Sequence, residues 1–190
     1  MTGLEAFYGS LSVKNATNAK SFVAPILALV SGSLVLDSNT ILDTVNLALL
    51  TTVGTLEFSA LPHLESTGLT TGITSAENIT ISDTSLVNLN GINVFLLKIF
   101  NVNNNKDIEL IDSGIKKITD TLSISSNSEN LDVSLDLLTT ANQVYFESIN
   151  SLSVANLTSV NDSLTFETTS LDKISILKLT NIGGSLTIDG

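Results

Sequence analysis

A short apolar–x–apolar pattern recurs along the whole chain at nearly constant spacing. In each copy two apolar residues flank one other residue, so both apolar side chains point to the same face of a short strand. The nine copies are Leu11/Val13, Leu34/Leu36, Leu56/Phe58, Ile79/Ile81, Phe100/Val102, Leu122/Ile124, Val144/Phe146, Leu164/Phe166 and Leu186/Ile188. Their first members lie 23, 22, 23, 21, 22, 22, 20 and 22 residues apart. One alternating strand per repeat of this length is typical of a solenoid of stacked coils.

Two more apolar positions occur in each repeat. In a second cluster apolar residues often alternate with other residues, which predicts a second strand. Examples are Val45/Leu47/Leu49, Ile92/Val94, Leu131/Val133/Leu135, Leu152/Val154 and Ile174/Ile176. A third apolar residue precedes the next strand, as at Val30, Val53, Ile118, Val160 and Ile182. Three apolar points per turn predict an all-β fold, a right-handed β-helix of about nine coils of about 22 residues. The best helix candidate, residues 21–30, is weakened by Pro25.

An asparagine follows the second apolar residue of the strand by three positions in three repeats. These residues are Asn39, Asn105 and Asn127. In leucine-rich repeats such an asparagine turns inward and satisfies backbone groups of the turn. We therefore predict a structural role for these three residues rather than a role in ligand binding.

Strand alternation sends the middle residue of each motif outward, together with the residue after the second apolar one. The resulting face is polar and uncharged in its middle, and we predict it as the candidate binding face: Glu57, Thr80, Asn101, Ser123, Tyr145, Glu147, Thr165 and Glu167. Near its end Glu147, Glu167 and Asp189 would stack on adjacent coils. Such carboxylates either hold a cation such as calcium or remain screened on a solvated face. Without a calcium-binding loop motif, the sequence favours the solvated face and predicts no metal site.

Composition narrows the possible functions. Nineteen acidic residues against eight lysines give a net charge of −11, which argues against a nucleic-acid partner and against an anionic membrane surface. The chain has no cysteine, which excludes disulfides, thiol catalysis and cysteine-ligated zinc. No apolar run is long enough to span a bilayer.

Catalytic motifs are not found in the sequence. His63 is the single histidine and follows Pro62 in a turn-like stretch without a nucleophile-elbow motif. Polysaccharide-cleaving β-helices cluster carboxylates near Arg or Lys, whereas here the lysines are scattered. There is also no glycine-rich phosphate-binding loop. The sequence thus predicts no catalytic residues, no cofactor and a protein that is not an enzyme.

Four N-glycosylation sequons begin at Asn15, Asn78, Asn156 and Asn161. With 19 asparagines and 48 serines and threonines in 190 residues, about five sequons are expected by chance, so their number is not evidence of secretion. If the protein is secreted, Asn78 is the best-placed acceptor for a glycan, because it lies in an outward column.

The repeat phrases carry a resemblance to a known family. The segments are NLTSVNDSLTFETTSLDKISILKLTNIGGSLTIDG from Asn156, VSGSLVLDSNTILDTVNLALLTTVGTLEF from Val30 and ENITISDTSLVNLNGI from Glu77. In repeat style they resemble the fungal GPI-anchored cell-wall proteins of the extracellular-mutant and sporulation-specific group. Those proteins are built from receptor-L-domain-like leucine-rich repeats. The resemblance covers almost the whole chain but includes no catalytic motif.

The resemblance implies a secreted, N-glycosylated protein of the cell wall or plasma-membrane surface that contributes to cell wall organisation without enzymatic activity. Its expected partners are wall polysaccharide or wall proteins, with membrane attachment only through a GPI anchor outside this chain. A ligand- or glycan-binding recognition module is the second hypothesis, and a polysaccharide-active enzyme the third. Because no signal peptide opens the chain and a repeat is interrupted at its end, we expect one solenoid domain over residues 1–190, a fragment without its caps.

Overall fold

In the computed structural model, residues 1, 3–167 and 172–190 are described, and within these ranges the chain forms strands, turns and loops but no helix. The strands are β1 (Ala6–Phe7), β2 (Leu11–Lys14), β3 (Ser21–Val23), β4 (Leu29–Asp37), β5 (Thr44–Asn46), β6 (Thr52–Leu61), β7 (Asn78–Thr84), β8 (Asn88–Ile92), β9 (Leu96–Asn103), β10 (Leu110–Ser113), β11 (Lys117–Ser125), β12 (Asp132–Ser134), β13 (Thr140–Ala141), β14 (Gln143–Glu147), β15 (Ser151–Ser153), β16 (Ser159–Val160), β17 (Leu164–Glu167), β18 (Lys173–Ser175), β19 (Asn181–Ile182) and β20 (Leu186–Asp189). The weak helix candidate at residues 21–30 therefore contains β3 and the start of β4.

The nine predicted motif strands form one parallel stack. In chain order they are β2, β4, β6, β7, β9, β11, β14, β17 and β20, and each pairs with the next. The register joins equivalent residues, from Leu11 opposite Leu34 to Leu164 opposite Leu186. The all-β solenoid prediction is confirmed, with nine stacked strands separated by eight turns. The right-handed sense and the leucine-rich-repeat character remain predictions.

A second parallel sheet contains the second apolar cluster of the repeats. Strands β8, β10, β12, β15 and β18 form its five-stranded part, and β3 pairs with β5 in a separate two-stranded sheet. The third apolar position is continuous with the motif strands. In β4, for example, Val30 and the motif residue Leu34 belong to one strand, and the register shifts between Val30 and Ser33. This shift bends the strand, so a single strand forms two sides of the coil.

The core lies inside the stack and is one continuous cluster of aliphatic and phenylalanine side chains. Motif residues such as Leu34, Leu56 and Phe100 are completely buried because equivalent residues cover them on both neighbouring coils. Leu186 and Ile188 of β20 are 55% and 67% exposed, since the stack covers them from one side only.

One residue with a left-handed backbone lies next to the last residue of the motif strand on seven successive coils. These residues are Asn15, Ser38, Ala60, Asp83, Asn104, Ser126 and Ser148, with φ between 51° and 56°. The left-handed conformation turns the chain, so the following residue points into the core rather than along the outer face. That conformation costs a non-glycine residue about 1 kcal/mol or more, and these seven coils adopt it at the same place.

The residue after the left-handed turn is buried on successive coils, and three of these residues are the predicted inward asparagines. Asn105 accepts hydrogen bonds at Oδ1 from the Thr84 amide at 3.1 Å and the Thr84 hydroxyl at 2.6 Å. Its Nδ2 donates to the Ile81 carbonyl at 3.2 Å. Asn127 in turn accepts from the Asn105 amide at 2.9 Å. The structural role predicted for the asparagines is confirmed, and we call Asn39, Asn105 and Asn127 the asparagine column.

Candidate functional site

The predicted binding face lies on the outer side of the motif strands. Six of the eight predicted residues form one continuous column through the pairing of Glu57 to Thr80, Asn101, Ser123, Tyr145 and Thr165. Glu147 and Glu167 pair with each other in the adjacent column. The structure therefore brings all eight residues onto one surface, which we call the flat face. Their role in binding remains a prediction.

The first coils of the flat face carry a small charged network. Lys14 Nζ lies 3.5 Å from Asp37 Oδ2, and Asp37 Oδ1 accepts hydrogen bonds from Ser38 at 2.9 Å and Ser59 at 3.1 Å. These contacts, led by the Ser38 hydroxyl, hold the pKa of the Asp37 carboxyl below its usual value. Asp37 is therefore ionised at neutral pH and neutralises the lysine at this end.

The middle of the flat face is uncharged and linked by hydrogen bonds. Asn103 Nδ2 donates to Asn101 Oδ1 at 3.2 Å, and the paired residues Thr80 and Ser123 lie on the coils before and after Asn101. Because these side chains are half-buried between neighbouring coils, their donors and acceptors are held in place. Such a surface suits a polyhydroxylated or polar partner.

Tyr145 organises the acidic end of the flat face. Its hydroxyl donates to Glu167 Oε2 at 2.9 Å, while Glu147 Oε2 accepts from Ser126 at 3.1 Å. Burial, followed by the hydrogen bond to Glu167 and the charges of both glutamates, raises the pKa of Tyr145 to about 12. Beneath them, the Phe146 and Phe166 rings stack with centroids 5.7 Å apart. The tyrosine thus remains a hydrogen-bond donor to Glu167 at physiological pH.

Three carboxylates and the single histidine are the other candidate chemical groups of the sequence. Glu147, Glu167 and Asp189 pair in register as the sequence suggested. Among the described residues, however, no group of three or more His, Asp and Glu side chains is arranged to hold a metal ion. His63 is exposed in the loop after β6, away from the flat face.

The four sequon asparagines differ in accessibility. Asn15 and Asn161 are exposed. Asn78 is half-buried and its Nδ2 donates to Thr55 Oγ1 at 3.2 Å. Asn156 is half-buried, donates to the Asp136 carbonyl at 2.7 Å and accepts from Lys178 at 2.6 Å. Exposure therefore favours Asn15 and Asn161 over Asn78, which the strand pattern had suggested as the best acceptor.

Curated relatives cover nearly the whole chain. It is 36% identical over 189 residues to the cell wall mannoprotein PST1 of Saccharomyces cerevisiae, which is 99% of this chain and 42% of that protein. It is 33% identical over 190 residues to the cell surface GPI-anchored protein ECM33 of Candida albicans, 99% of this chain and 46% of that protein. The chain belongs to this family of fungal cell wall proteins. Sporulation-specific protein 2 of S. cerevisiae is 31% identical over 82% of the chain and 31% of its own length.

The similarity covers only part of each relative. The chain spans less than half the length of PST1 and ECM33. No family model and no solved structure matches it. In the described ranges no helix is long and apolar enough to cross a membrane. The family prediction from the repeat phrases is confirmed by whole-chain similarity.

Proposed function

We propose that this chain is a non-enzymatic structural part of a fungal cell wall protein, located outside the cell at the wall or plasma-membrane surface. The observation that supports this most directly is the similarity over 99% of the chain to a cell wall mannoprotein and a GPI-anchored surface protein. Membrane attachment through a GPI anchor, as the name of the Candida albicans relative states, is part of the proposal.

The flat face is the proposed contact surface for wall polysaccharide or wall proteins. Most of its side chains are half-buried, and Asn101 and Tyr145 are held by side-chain hydrogen bonds, so a partner meets groups that are already partly ordered. Ordered groups lose little conformational entropy on binding. Parallel coils also place one outward side chain after another in a line along the solenoid, which suits an extended polymer.

The experiment is a sedimentation assay of the full chain with insoluble wall glucan, chitin and mannan preparations. Asn101→Lys with Ser123→Lys places two large charged groups at paired positions in the middle of the flat face. Ser21→Lys with Thr44→Lys makes the matched change at paired, exposed positions of β3 and β5. We expect the first pair to reduce the bound fraction at least fivefold and the second pair to leave it unchanged.

Other results would contradict parts of the proposal. Equal retention of both double variants would exclude the flat face as the contact surface. Release of soluble sugars in the same tubes would show an enzyme, and Glu147→Gln or Glu167→Gln would then be expected to abolish the release. Saturable binding of a soluble oligosaccharide would favour the recognition-module hypothesis over a purely structural role.

A further inference from the structure

A threonine ladder runs along the outside of another corner of the coils, just before the third apolar position. Each threonine hydroxyl donates to the carbonyl of the residue one coil earlier. The bonds are Thr51 to Ala28 at 3.3 Å, Thr74 to Thr51 at 3.3 Å, Thr139 to Lys116 at 2.9 Å, Thr158 to Thr139 at 3.0 Å and Thr180 to Thr158 at 3.1 Å. The same carbonyls also accept backbone amides of the following coil, so the threonine hydroxyls add a second hydrogen bond to groups that are already paired.

Two adjacent coils in the middle of the ladder depart from threonine. Leu96 pairs with Lys117, and Lys117 pairs with Thr140, so the preceding residues Phe95, Lys116 and Thr139 occupy the same corner position. Neither Phe95 nor Lys116 can donate a hydroxyl to the preceding coil. The fold therefore does not require these two side chains, since five other coils use threonine at the same place.

Phe95 is unusual among the phenylalanines of this chain. All seven lie in the described ranges, and five are at least 93% buried, while Phe7 packs partly against the core. Phe95 is 59% exposed, and its neighbour Leu96 is 51% exposed. Because this ring is left largely in water, it does not contribute the free energy that burial of an aromatic side chain gives. Together with Leu96 the ring forms a small exposed apolar patch that is available to a partner.

The two lysines beside the ring add a local positive charge to a strongly acidic protein. Lys116 Nζ and Lys117 Nζ lie 5.6 Å and 5.8 Å from the Phe95 ring centroid. Within the described residues the lysine–carboxylate ion pairs are Lys14–Asp37 and Lys98–Glu77, so both ammonium groups are free of a carboxylate partner. Two such groups on one ring attract an anion.

A shallow polar groove lies beside this corner. It has a volume of about 290 Å³ and includes Asn93 and Gly114, which precede Phe95 and Lys116 by two residues. Asn90, Ser134 and two carboxylates, Asp112 and Asp136, line it further on and offer amide, hydroxyl and carboxylate groups. Groups of this kind hydrogen-bond sugar hydroxyls, and an aromatic ring packs against the apolar face of a sugar ring.

We propose that Phe95, Lys116 and Lys117 form a binding site for an anionic saccharide, a sugar that carries a phosphate or carboxylate group. The ring packs against the sugar, the two ammonium groups hold its negative charge, and the groove accommodates hydroxyls at the end away from the lysines. This site lies at a corner of the coil, separate from the flat face, and does not depend on the flat face binding wall polymers.

The test is a titration of the ¹⁵N-labelled full chain, followed by backbone amide chemical shifts at residues 95, 116 and 117. The probes are mannose 6-phosphate, glucuronate, uncharged mannose and inorganic phosphate. We expect saturable shifts with at least one charged sugar, at least tenfold weaker binding of mannose, and weakening by added salt. The phosphate and carboxylate probes decide which anion the site prefers.

The variants use the residue type of the ladder itself so that the fold is retained. Phe95→Thr is expected to weaken charged-sugar binding at least fivefold but to leave phosphate binding unchanged. Lys116→Thr with Lys117→Gln is expected to weaken both at least tenfold. Tyr8→Ala and Lys106→Gln, at an exposed aromatic residue and an exposed lysine elsewhere, should change neither.

Three results would overturn the proposal. The first is the absence of shifts at this corner with both charged sugars. The second is equal binding of mannose and mannose 6-phosphate, which would remove the role of the lysines. The third is a Phe95→Thr variant that melts like the parent protein and binds charged sugars as tightly as the parent does. The lysines would then bind an anion without any recognition of the sugar by the ring. Loss of wall retention by the Asn101 and Ser123 variant concerns the flat face alone and leaves this test unaffected.

Discussion

The asparagine column and the threonine ladder bond backbone groups at two corners of the coil, one from inside and one from outside. At the inner corner the asparagines pair backbone groups that have no other route to a partner, because no water reaches the core. At the outer corner the carbonyls already accept a backbone amide of the following coil. The threonine hydroxyls add a second bond there, where water is an alternative partner.

This difference explains which substitutions the asparagine column and the threonine ladder tolerate. Inside, the equivalent positions between and after the asparagines are filled by residues that pack or bond: Leu61, Thr84 and Ile149. Outside, the ladder gives way to Phe95 and Lys116, and among the described residues no buried side-chain nitrogen or oxygen is left without a hydrogen-bond partner. An outer corner is therefore the place where a solenoid can acquire a binding site at small cost to stability.

The largest effect on stability is expected at the asparagine column. Asn105→Ala removes the partners of the Thr84 amide and the Ile81 carbonyl, and each unpaired buried group costs about 1–3 kcal/mol. We expect the free energy of unfolding to fall by about 3 kcal/mol or more in urea denaturation. The control is Asn101→Ala on the flat face of the same coil, expected to cost less than about 1 kcal/mol. Similar losses for both variants would mean that the asparagine column has no special role.

A smaller effect is expected for the threonine ladder. Thr158→Val keeps the branched shape but removes the hydroxyl that bonds the Thr139 carbonyl at 3.0 Å. Because water can reach this exposed corner, the loss should be about 0.5–1 kcal/mol, measured by the same denaturation. Thr165→Val, in the outward column of β17, should cost less, since valine favours strands. A loss at Thr158 as large as that at Asn105 would remove the distinction between the corners.

The left-handed turn before the asparagine column predicts a substitution that stabilises the protein. Ala60 has φ of 51°, a conformation that glycine adopts without the steric cost of a Cβ. Ala60→Gly should therefore raise the free energy of unfolding by about 0.5 kcal/mol, with a corresponding rise in melting temperature. Ser125→Gly, in the extended part of β11, should lower it instead. Destabilisation by both changes would contradict the strain assigned to this turn.

The smallest effect is expected at the interruption of the ladder. Phe95→Thr exchanges a largely exposed ring for the residue that other coils use, and we expect the new hydroxyl to reach a carbonyl of the preceding coil. The melting midpoint in urea should shift by no more than the equivalent of about 0.5 kcal/mol. The same substitution at the buried Phe100 should cost about 3–5 kcal/mol. A large loss at Phe95 would show that the fold does need the aromatic ring.

Local sequence was enough to predict most of the fold. The alternation of Leu164 and Phe166, repeated every 20 to 23 residues, identified each motif strand and its inward face. The spacing of Asn39, Asn105 and Asn127 from those strands predicted their inward position. These features depend on the backbone period of two and on a turn that is the same in every coil, so neighbours in sequence are sufficient to show them.

The sequence by itself therefore determined the solenoid, its flat polar face, its inward asparagines and its family. Only the tertiary structure decided which residues of successive coils meet at the outer corner. The repeats differ in length by up to three residues, and the register shift in long strands such as β11 moves positions between coils. Phe95 and Lys116, 21 residues apart, are brought together by strand pairing. Hydrogen bonding between coils, rather than any local pattern, fixes that contact.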